Sequence, residues 1–168
     1  MQAMVRTLFD YNLWAHERVW TGILTLDDER FARPFDYSIG SVQAQMTHVL
    51  SVDNRWLARV AGRDVPPHLK PDAYPSAAAL REDWARMTAD QRRIVEGLSD
   101  DQLAEMITYD IPSRGGAKLN TRWEILAHVV VHGTDHRAQI LSLLYQLGAP
   151  TVEQDLVIYL WERPSPPQ

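Results

Sequence analysis

The chain has 168 residues, of which 45% are hydrophobic and 23% are charged, and it contains no cysteine. This length and composition are those of one soluble globular domain and exclude the fibrous, disordered and disulfide-stapled classes. Because no thiolate is available, any metal must be held by nitrogen and oxygen ligands, and the formal net charge of -5 argues against a nucleic-acid partner.

The sequence gives no sign of a membrane segment. No apolar run approaches the roughly 18 residues that span a bilayer, and residues 1–8 lack the charged-then-apolar order of a signal peptide. We therefore expect a cytoplasmic protein with no membrane partner.

Two amphipathic helices are predicted before residue 62. Residues 4–26 carry apolar side chains at three- and four-residue steps, which place them on one face of a helix. Residues 27–35 interrupt this period with an acidic run and Pro34, so we predict a loop or a short strand there. Ser41 is the predicted N-cap of the second helix, which extends to about Ala61 and is ended by Gly62.

Proline separates the second predicted helix from the third. Residues 65–75 contain four prolines, whose fixed φ angles disfavour a helix, so this segment is predicted to be a long crossover. Ser76 is the predicted N-cap of the third helix, whose apolar stripe continues to Leu98.

A hairpin and a fourth helix are predicted next. Residues 107–111 alternate loosely and precede a turn-forming glycine pair, which favours a short hairpin. Thr121 and Glu124 have the order of a capping box and predict a helix that runs to about Leu147.

The C-terminal segment is predicted to be short and partly ordered. A second capping-box pattern at residues 151–154 predicts a short helix near Tyr159. The proline-rich residues 164–168 are predicted to form a frayed tail.

These elements predict an all-α fold. Four helices of about 20 residues, each with one apolar stripe, bury those stripes best against each other, as in a four-helix bundle. Residues 1–163 are predicted to form this single domain. The long crossover between the second and third helices leaves room for a topology other than plain up-down-up-down.

Three histidines in the fourth predicted helix suggest a metal site. His128, His132 and His136 follow each other at four-residue steps, which stack side chains on one helix face. At about 100° per residue, His132 and His136 fall within the apolar stripe, whereas His128 lies at its polar flank. Two buried imidazoles one turn apart need partners, and a divalent ion satisfies one nitrogen of each.

A third ligand should come from a facing helix, because a catalytic site commonly has three protein ligands and one open position. His48, on the second predicted helix, is the obvious supplier. His16 and His128 are interpreted as hydrogen-bonded core residues, and His68, which lies among prolines, is expected to be exposed.

Two further polar residues lie close to this pattern. Asn12 lies within the stripe of the first helix, where it either faces a pocket or, as we favour, makes a buried hydrogen bond between helices. Asp135 can orient an imidazole, pair with Arg137 or face solvent.

Several segments resemble DinB-like proteins over nearly the whole chain. These are Tyr11-Asn12-Leu13-Trp14-Ala15, Thr47-His48-Val49-Leu50 with Asp53 and Trp56 following, and the run from His132 to Gln139. The resemblance implies a four-helix bundle whose metal ligands are His48, His132 and His136. The implied metals are nickel or zinc. Some relatives are thiol-dependent transferases, isomerases or hydrolases, which implies a low-molecular-weight thiol as a further cofactor. The resemblance also implies a homodimer as the assembly. His16 departs from the family pattern, where asparagine is more usual.

A metal held by three neutral imidazoles keeps its full charge and lowers the pKa of bound water, so activated water or an activated thiol can attack a small electrophilic substrate. The sequence has Gly133 after His132, where a zinc protease of the His-Glu-x-x-His type carries glutamate, so protease chemistry is not expected.

We therefore expect a metal-dependent hydrolase or thiol transferase acting on a small molecule. Two alternatives stay open from the sequence: a non-catalytic helical bundle that binds metal structurally or mediates stress-related contacts, and an empty site whose histidines bond to each other. An open fourth coordination position would favour catalysis.

Overall fold

Four long helices dominate the computed structural model, which describes residues 1–163. They are α1 (Gln2–Ile23), α3 (Val42–Val60), α4 (Ala77–Gly97) and α6 (Arg122–Gln146). Three shorter helices are α2 (Asp28–Ala32), α5 (Asp100–Ala104) and α7 (Leu156–Glu162). The predicted tail at residues 164–168 lies outside the described residues.

Local sequence signals fix where the long helices begin. The Ser41 hydroxyl accepts a hydrogen bond from the Ala44 amide at the start of α3, and Ser76 does the same for Ala79 at the start of α4. Thr121 and Glu124 form the predicted capping box of α6. Gly62, with a φ of 65°, follows α3 in the left-handed conformation that ends a helix.

The fold is mostly helical but not all-α as predicted, because it also contains a two-stranded sheet. Strands β1 (Met106–Ile111) and β2 (Gly116–Thr121) pair antiparallel, with Met106 opposite Thr121 and Ile111 opposite Gly116. The predicted hairpin is therefore confirmed.

Three local predictions are corrected. Residues 27–35 form neither a loop alone nor a strand, because Asp27 caps the short helix α2. The helix α5, which begins after a capping box of Ser99 and Gln102, was not predicted. The box expected at residues 151–154 is absent, since α7 begins at Leu156 and the Gln154 side chain accepts instead from the Arg137 guanidinium.

The long helices pack in a ring: α1 contacts α6 and α4, and α3 contacts α6 and α4. One hydrophobic cluster holds the C-terminal halves of α1 and α6 with the N-terminal halves of α3 and α4. A second cluster holds the opposite halves of the same helices. Therefore α3 and α4 run in the same direction, antiparallel to α1 and α6, and the extended crossover between Ala61 and Ser76 returns along the length of the helices.

A buried polar layer separates the two hydrophobic clusters. Its residues lie near the middle of the four long helices and are almost fully buried: Asn12, His16, Asp53, Gln91 and Arg137. Buried polar groups are costly unless they are partnered, so this layer marks the level at which a functional site is expected. Among the helices of residues 1–163, none combines the length and hydropathy that crossing a membrane requires.

Candidate metal centre

Three histidines converge at the edge of the buried polar layer. His48 comes from α3, and His132 and His136 lie one turn apart on the facing helix α6. One ring nitrogen of each lies within 4.8 Å of the others, and the Nε2 atoms of His48 and His132 are 3.2 Å apart. The structure therefore brings together the three residues that the sequence predicted, in a cluster compatible with metal binding.

The spacing of the ring nitrogens fits a divalent ion. Metal–nitrogen bonds of about 2.1 Å in a tetrahedral arrangement separate two ligand nitrogens by about 3.4 Å. The 3.2 Å between His48 and His132 is close to this value, and the His136 ring centroid lies 4.7 Å from that of His48 and 4.4 Å from that of His132. The three candidate ligand nitrogens all lie within 4.8 Å of one another, which is compatible with one ion held between them.

A chain of amides orients the His136 ring. Its Nδ1 atom lies 2.7 Å from Oε1 of Gln45, an atom that only accepts, so Nδ1 carries the proton and Nε2 keeps its lone pair. Gln45 donates in turn to Gln139 at 2.9 Å, and Gln139 donates to Asp135 at 3.1 Å. Asp135 is thus hydrogen-bonded to the cluster only through two glutamines, while its negative charge opposes the lowering of the pKa values of His132 and His136 by burial.

A buried carboxylate faces the His132 ring. Oδ1 of Asp53 lies 3.9 Å from Nδ1 of His132, and both atoms are buried without a hydrogen-bond partner among the described residues. A carboxylate behind a ligating imidazole fixes its tautomer and raises its basicity. Asp53 is therefore placed to orient His132, a role that the sequence analysis did not assign to it.

Burial keeps the three rings neutral. Burial is the main cause that lowers the pKa of His132 to about 3, and repulsion between its charged form and those of His136 and His48 contributes to the same shift. Burial is also the main cause that lowers the pKa values of His48 and His136. At neutral pH each ring therefore has a lone pair available for a metal.

The other histidines lie outside the cluster. His128 is exposed, so its interpretation as a core residue was wrong. It packs edge-on against Trp56, with ring centroids 5.4 Å apart, and its ring centroid lies 5.6 Å from that of His132. His16 is fully buried as expected, but neither ring nitrogen has a hydrogen-bond partner within residues 1–163, so its interpretation as a hydrogen-bonded core residue was wrong. His68 is exposed, as expected.

Arg137 organises the polar layer next to the cluster. Its guanidinium is fully buried and donates hydrogen bonds to polar groups of α1, α6 and the segment before α7. One of these acceptors is Oδ1 of Asn12, which confirms the predicted bond between helices. Gly133 makes this contact possible, because a Cβ atom there would lie 2.4 Å from the same oxygen.

A solvent-accessible pocket adjoins the cluster. Its volume is about 270 Å³, and it lies between α3, the hairpin and α6, with Trp56, Tyr109 and His128 among its lining residues. The link to the cluster is His128, whose ring centroid lies 5.6 Å from that of His132, whereas the three rings of the cluster do not line the pocket. No spacing in the sequence indicates this pocket, since its lining comes from three separate elements.

Known proteins with this sequence pattern and fold are DinB proteins. The sequence model of the DinB family matches residues 1–167. Protein DinB of Bacillus subtilis (strain 168) is 27% identical over 164 residues, which cover 92% of each chain.

Solved structures show the same fold. A DinB-like protein from Bacillus cereus ATCC 10987 has a TM-score of 0.66 at 15% identity, covering 84% of this chain and 92% of its own. A DinB family member from Shewanella denitrificans has a TM-score of 0.57 at 17% identity, covering 94% of this chain and 89% of its own. With a family match over almost every residue, the chain belongs to the DinB family.

Proposed function

We propose that this protein is a metal-dependent enzyme that binds one divalent ion, nickel or zinc, through His48, His132 and His136. We also propose that its four long helices form a four-helix bundle, which holds these ligands on two facing helices. The observation that carries the proposal is the convergence of three neutral imidazole nitrogens within 4.8 Å. A single hydrogen bond between His48 and His132 would leave Nε2 of the nearby His136 ring without a partner among the described residues, since Gln45 engages only Nδ1.

The number of donors favours a catalytic over a purely structural site. Within residues 1–163, the cluster of possible ligands comprises only these three histidines. Three protein ligands leave one position open, whereas structural zinc sites are closed by a fourth. His48 and His132 are only partly buried, so a small molecule can approach from solvent.

When bound, the ion would supply Lewis acidity that activates water or a low-molecular-weight thiol for attack on an electrophilic carbon. The protein's own groups prepare the site for this reaction. Gln45 holds the His136 ring with its Nε2 lone pair toward the cluster, and Asp53 faces the outer nitrogen of His132. The pocket lined by Trp56 and His128 receives the substrate beside these rings.

Metal analysis of protein purified without an affinity tag tests the proposal. We expect about one equivalent of nickel or zinc per chain in the wild type and in His68→Ala, whose exposed ring lies outside the cluster. We expect His136→Ala to lose most of this metal. Full metal content in His136→Ala would show that the three-histidine assignment is wrong.

A separate experiment tests the proposal that the metal site is catalytic. The protein loaded with cobalt should change its visible spectrum when azide or a small thiol is added, because an open position accepts a new ligand. A spectrum that does not respond would favour the non-catalytic alternative. Hydrolysis and thiol-transfer assays with activated esters and alkyl halides should then show activity that His136→Ala lacks.

A further inference from the structure

A second pocket lies at the C-terminal half of α3, on the side of strand β1. Its volume is about 500 Å³. We call it the arginine pocket, since its lining includes Arg55 and Arg59 of α3 and Arg63, which follows the helix. Strand β1 contributes Tyr109 and Asp110.

Two of these arginines have no carboxylate partner. Arg63 forms a salt bridge with Asp90 at 2.6 Å. Among the described residues, Arg55 and Arg59 form none, although Asp110 lines the same pocket. Arg55 donates to the carbonyl of Pro66, and Arg59 donates to the carbonyl of Arg55 at 3.2 Å, so several N–H groups of both remain unused.

The Arg59 guanidinium is held in place by aromatic rings. It lies 4.8 Å from the ring centroid of Trp56 and 5.8 Å from that of Tyr109. Burial and the nearby charge of Arg55 lower the pKa of Arg59. Two cations are thus held close together, and an anion between them would relieve their repulsion.

The arginine pocket is aligned with the three-histidine cluster. Arg55 follows His48 by seven residues and Arg59 follows it by eleven, which places all three on one face of α3, two and three turns apart. At 1.5 Å per residue these separations are about 10 and 16 Å along the helix. His68 lies in the same region, since its Nδ1 atom is 3.4 Å from the hydroxyl of Ser51, which lies between His48 and Arg55 on α3.

From these contacts we propose that Arg55 and Arg59 bind a carboxylate group of the substrate, while the other end of the substrate reaches the three histidines. This inference rests on the proposed function. The planar guanidinium fork matches the two oxygens of a carboxylate, and charge-assisted bonds of this kind are the strongest that side chains make. The enzyme therefore selects elongated molecules with an electrophilic or thiol group at one end and an acidic group at the other.

A pair of metal-chelating probes tests the link between the two sites. Suberic acid monohydroxamate carries a chelating group and a carboxylate at opposite ends, and its methyl ester has the same length without the charge. On zinc-loaded protein we expect the acid to bind about tenfold more tightly than the ester. The double variant Arg55→Gln/Arg59→Gln should lose this preference and keep its affinity for the ester, whereas Arg63→Gln should keep the preference.

Equal affinity for acid and ester, or a preference that survives in the double variant, would overturn the proposal. The unchanged ester affinity and zinc content of the double variant show that it is folded.

A metal-free arm separates this inference from the proposed function. In the protein without metal, the Nε–H nuclear magnetic resonance signals of Arg55 and Arg59 should shift saturably with added acetate, and those of Arg63 should not. If zinc does not bind at all, the proposed function fails but this titration still tests the arginine pocket. A response to inorganic phosphate alone would overturn the assignment to a carboxylate.

Discussion

The Nδ1 atom of His132 and the Oδ1 atom of Asp53 face each other at 3.9 Å, and neither has another partner among the described residues. Burial raises the pKa of Asp53 well above its ordinary value, while the positive charge of Arg137 opposes this shift. The carboxyl group is therefore costly to keep charged in the metal-free protein, and a cation on the far side of His132 favours its charged form.

Asp53→Asn should lower the affinity for zinc by about 10- to 100-fold, since it removes the charge that supports the His132 ring. The free energy of unfolding of the metal-free protein should stay equal or rise, because a neutral amide is less costly to bury than a carboxylate. Competition with a zinc chelator and urea unfolding measure the two effects.

Asp135→Asn is the matched control. Asp135 is exposed and contacts Gln139 rather than a ring of the cluster, so the zinc affinity should change by much less. Equal losses of zinc affinity in the two variants would argue against a specific role for Asp53.

Gln45→Leu should weaken metal binding by releasing the His136 ring. The substitution removes the acceptor that lies 2.7 Å from Nδ1 of His136 and leaves that ring free to rotate. We expect about a tenfold loss of zinc affinity.

Gln43→Leu is the matched control for the loss of zinc affinity expected in Gln45→Leu. Gln43 lies two residues away on α3 but donates to the carbonyls of Pro71 and Tyr74, far from the rings. Its loss should lower the free energy of unfolding by about 1 kcal/mol and leave the zinc affinity unchanged. A zinc affinity that falls in Gln43→Leu as much as in Gln45→Leu would refute the positioning role.

The ligands could be predicted from the sequence because helical periodicity is local. His132 and His136 lie within one apolar stripe, and the capping box at Thr121 fixes where their helix begins. His48 was placed by the need for a third ligand. Asp53 and Gln45 were not assigned their roles, since their contacts depend on how α3 packs against α6, which no spacing in the sequence records.

The contacts within the buried polar layer also could not be predicted from the sequence, because they depend on how the helices pack. Arg137 was read only as a partner for Asp135, yet its guanidinium bonds to Asn12 and to Gln154 from distant segments. The capping box expected at residues 151–154 does not form, because the tertiary contact with Arg137 engages the Gln154 side chain.

Gly133→Ala should destabilise the protein by about 1–3 kcal/mol. The added Cβ atom would lie 2.4 Å from Oδ1 of Asn12 and 2.9 Å from Nη1 of Arg137, and both groups are fixed in the buried polar layer. In Gly97→Ala, at the end of α4, the new Cβ meets no atom of residues 1–163 within 4 Å beyond its own helix and chain neighbours, so this variant should instead be more stable by about 0.5–1 kcal/mol. Urea unfolding compares the two variants, and a neutral Gly133→Ala would show that the layer is loosely packed.

His16→Phe should reduce the loss of stability at acidic pH. Burial lowers the pKa of His16 well below its ordinary value of 6.5, so below that pH the unfolded chain binds a proton that the folded protein excludes. Stability is therefore complete above about pH 6.5 and falls as the pH decreases, by about 1.4 kcal/mol per pH unit for each such group.

Phenylalanine keeps the aromatic contact with Trp84, where the His16 ring centroid lies 4.7 Å away, and it buries no unpartnered nitrogen. Urea unfolding at pH 8 measures the difference in packing and in the burial of the neutral ring nitrogens, since the histidine is then neutral in both the folded and unfolded states. Between pH 6 and pH 5 the slope for the variant should be smaller than that for the wild type by about 1.4 kcal/mol per pH unit, because one proton fewer is taken up on unfolding. Parallel slopes would mean that His16 is protonated within the folded protein, which its burial without a hydrogen-bond partner makes costly.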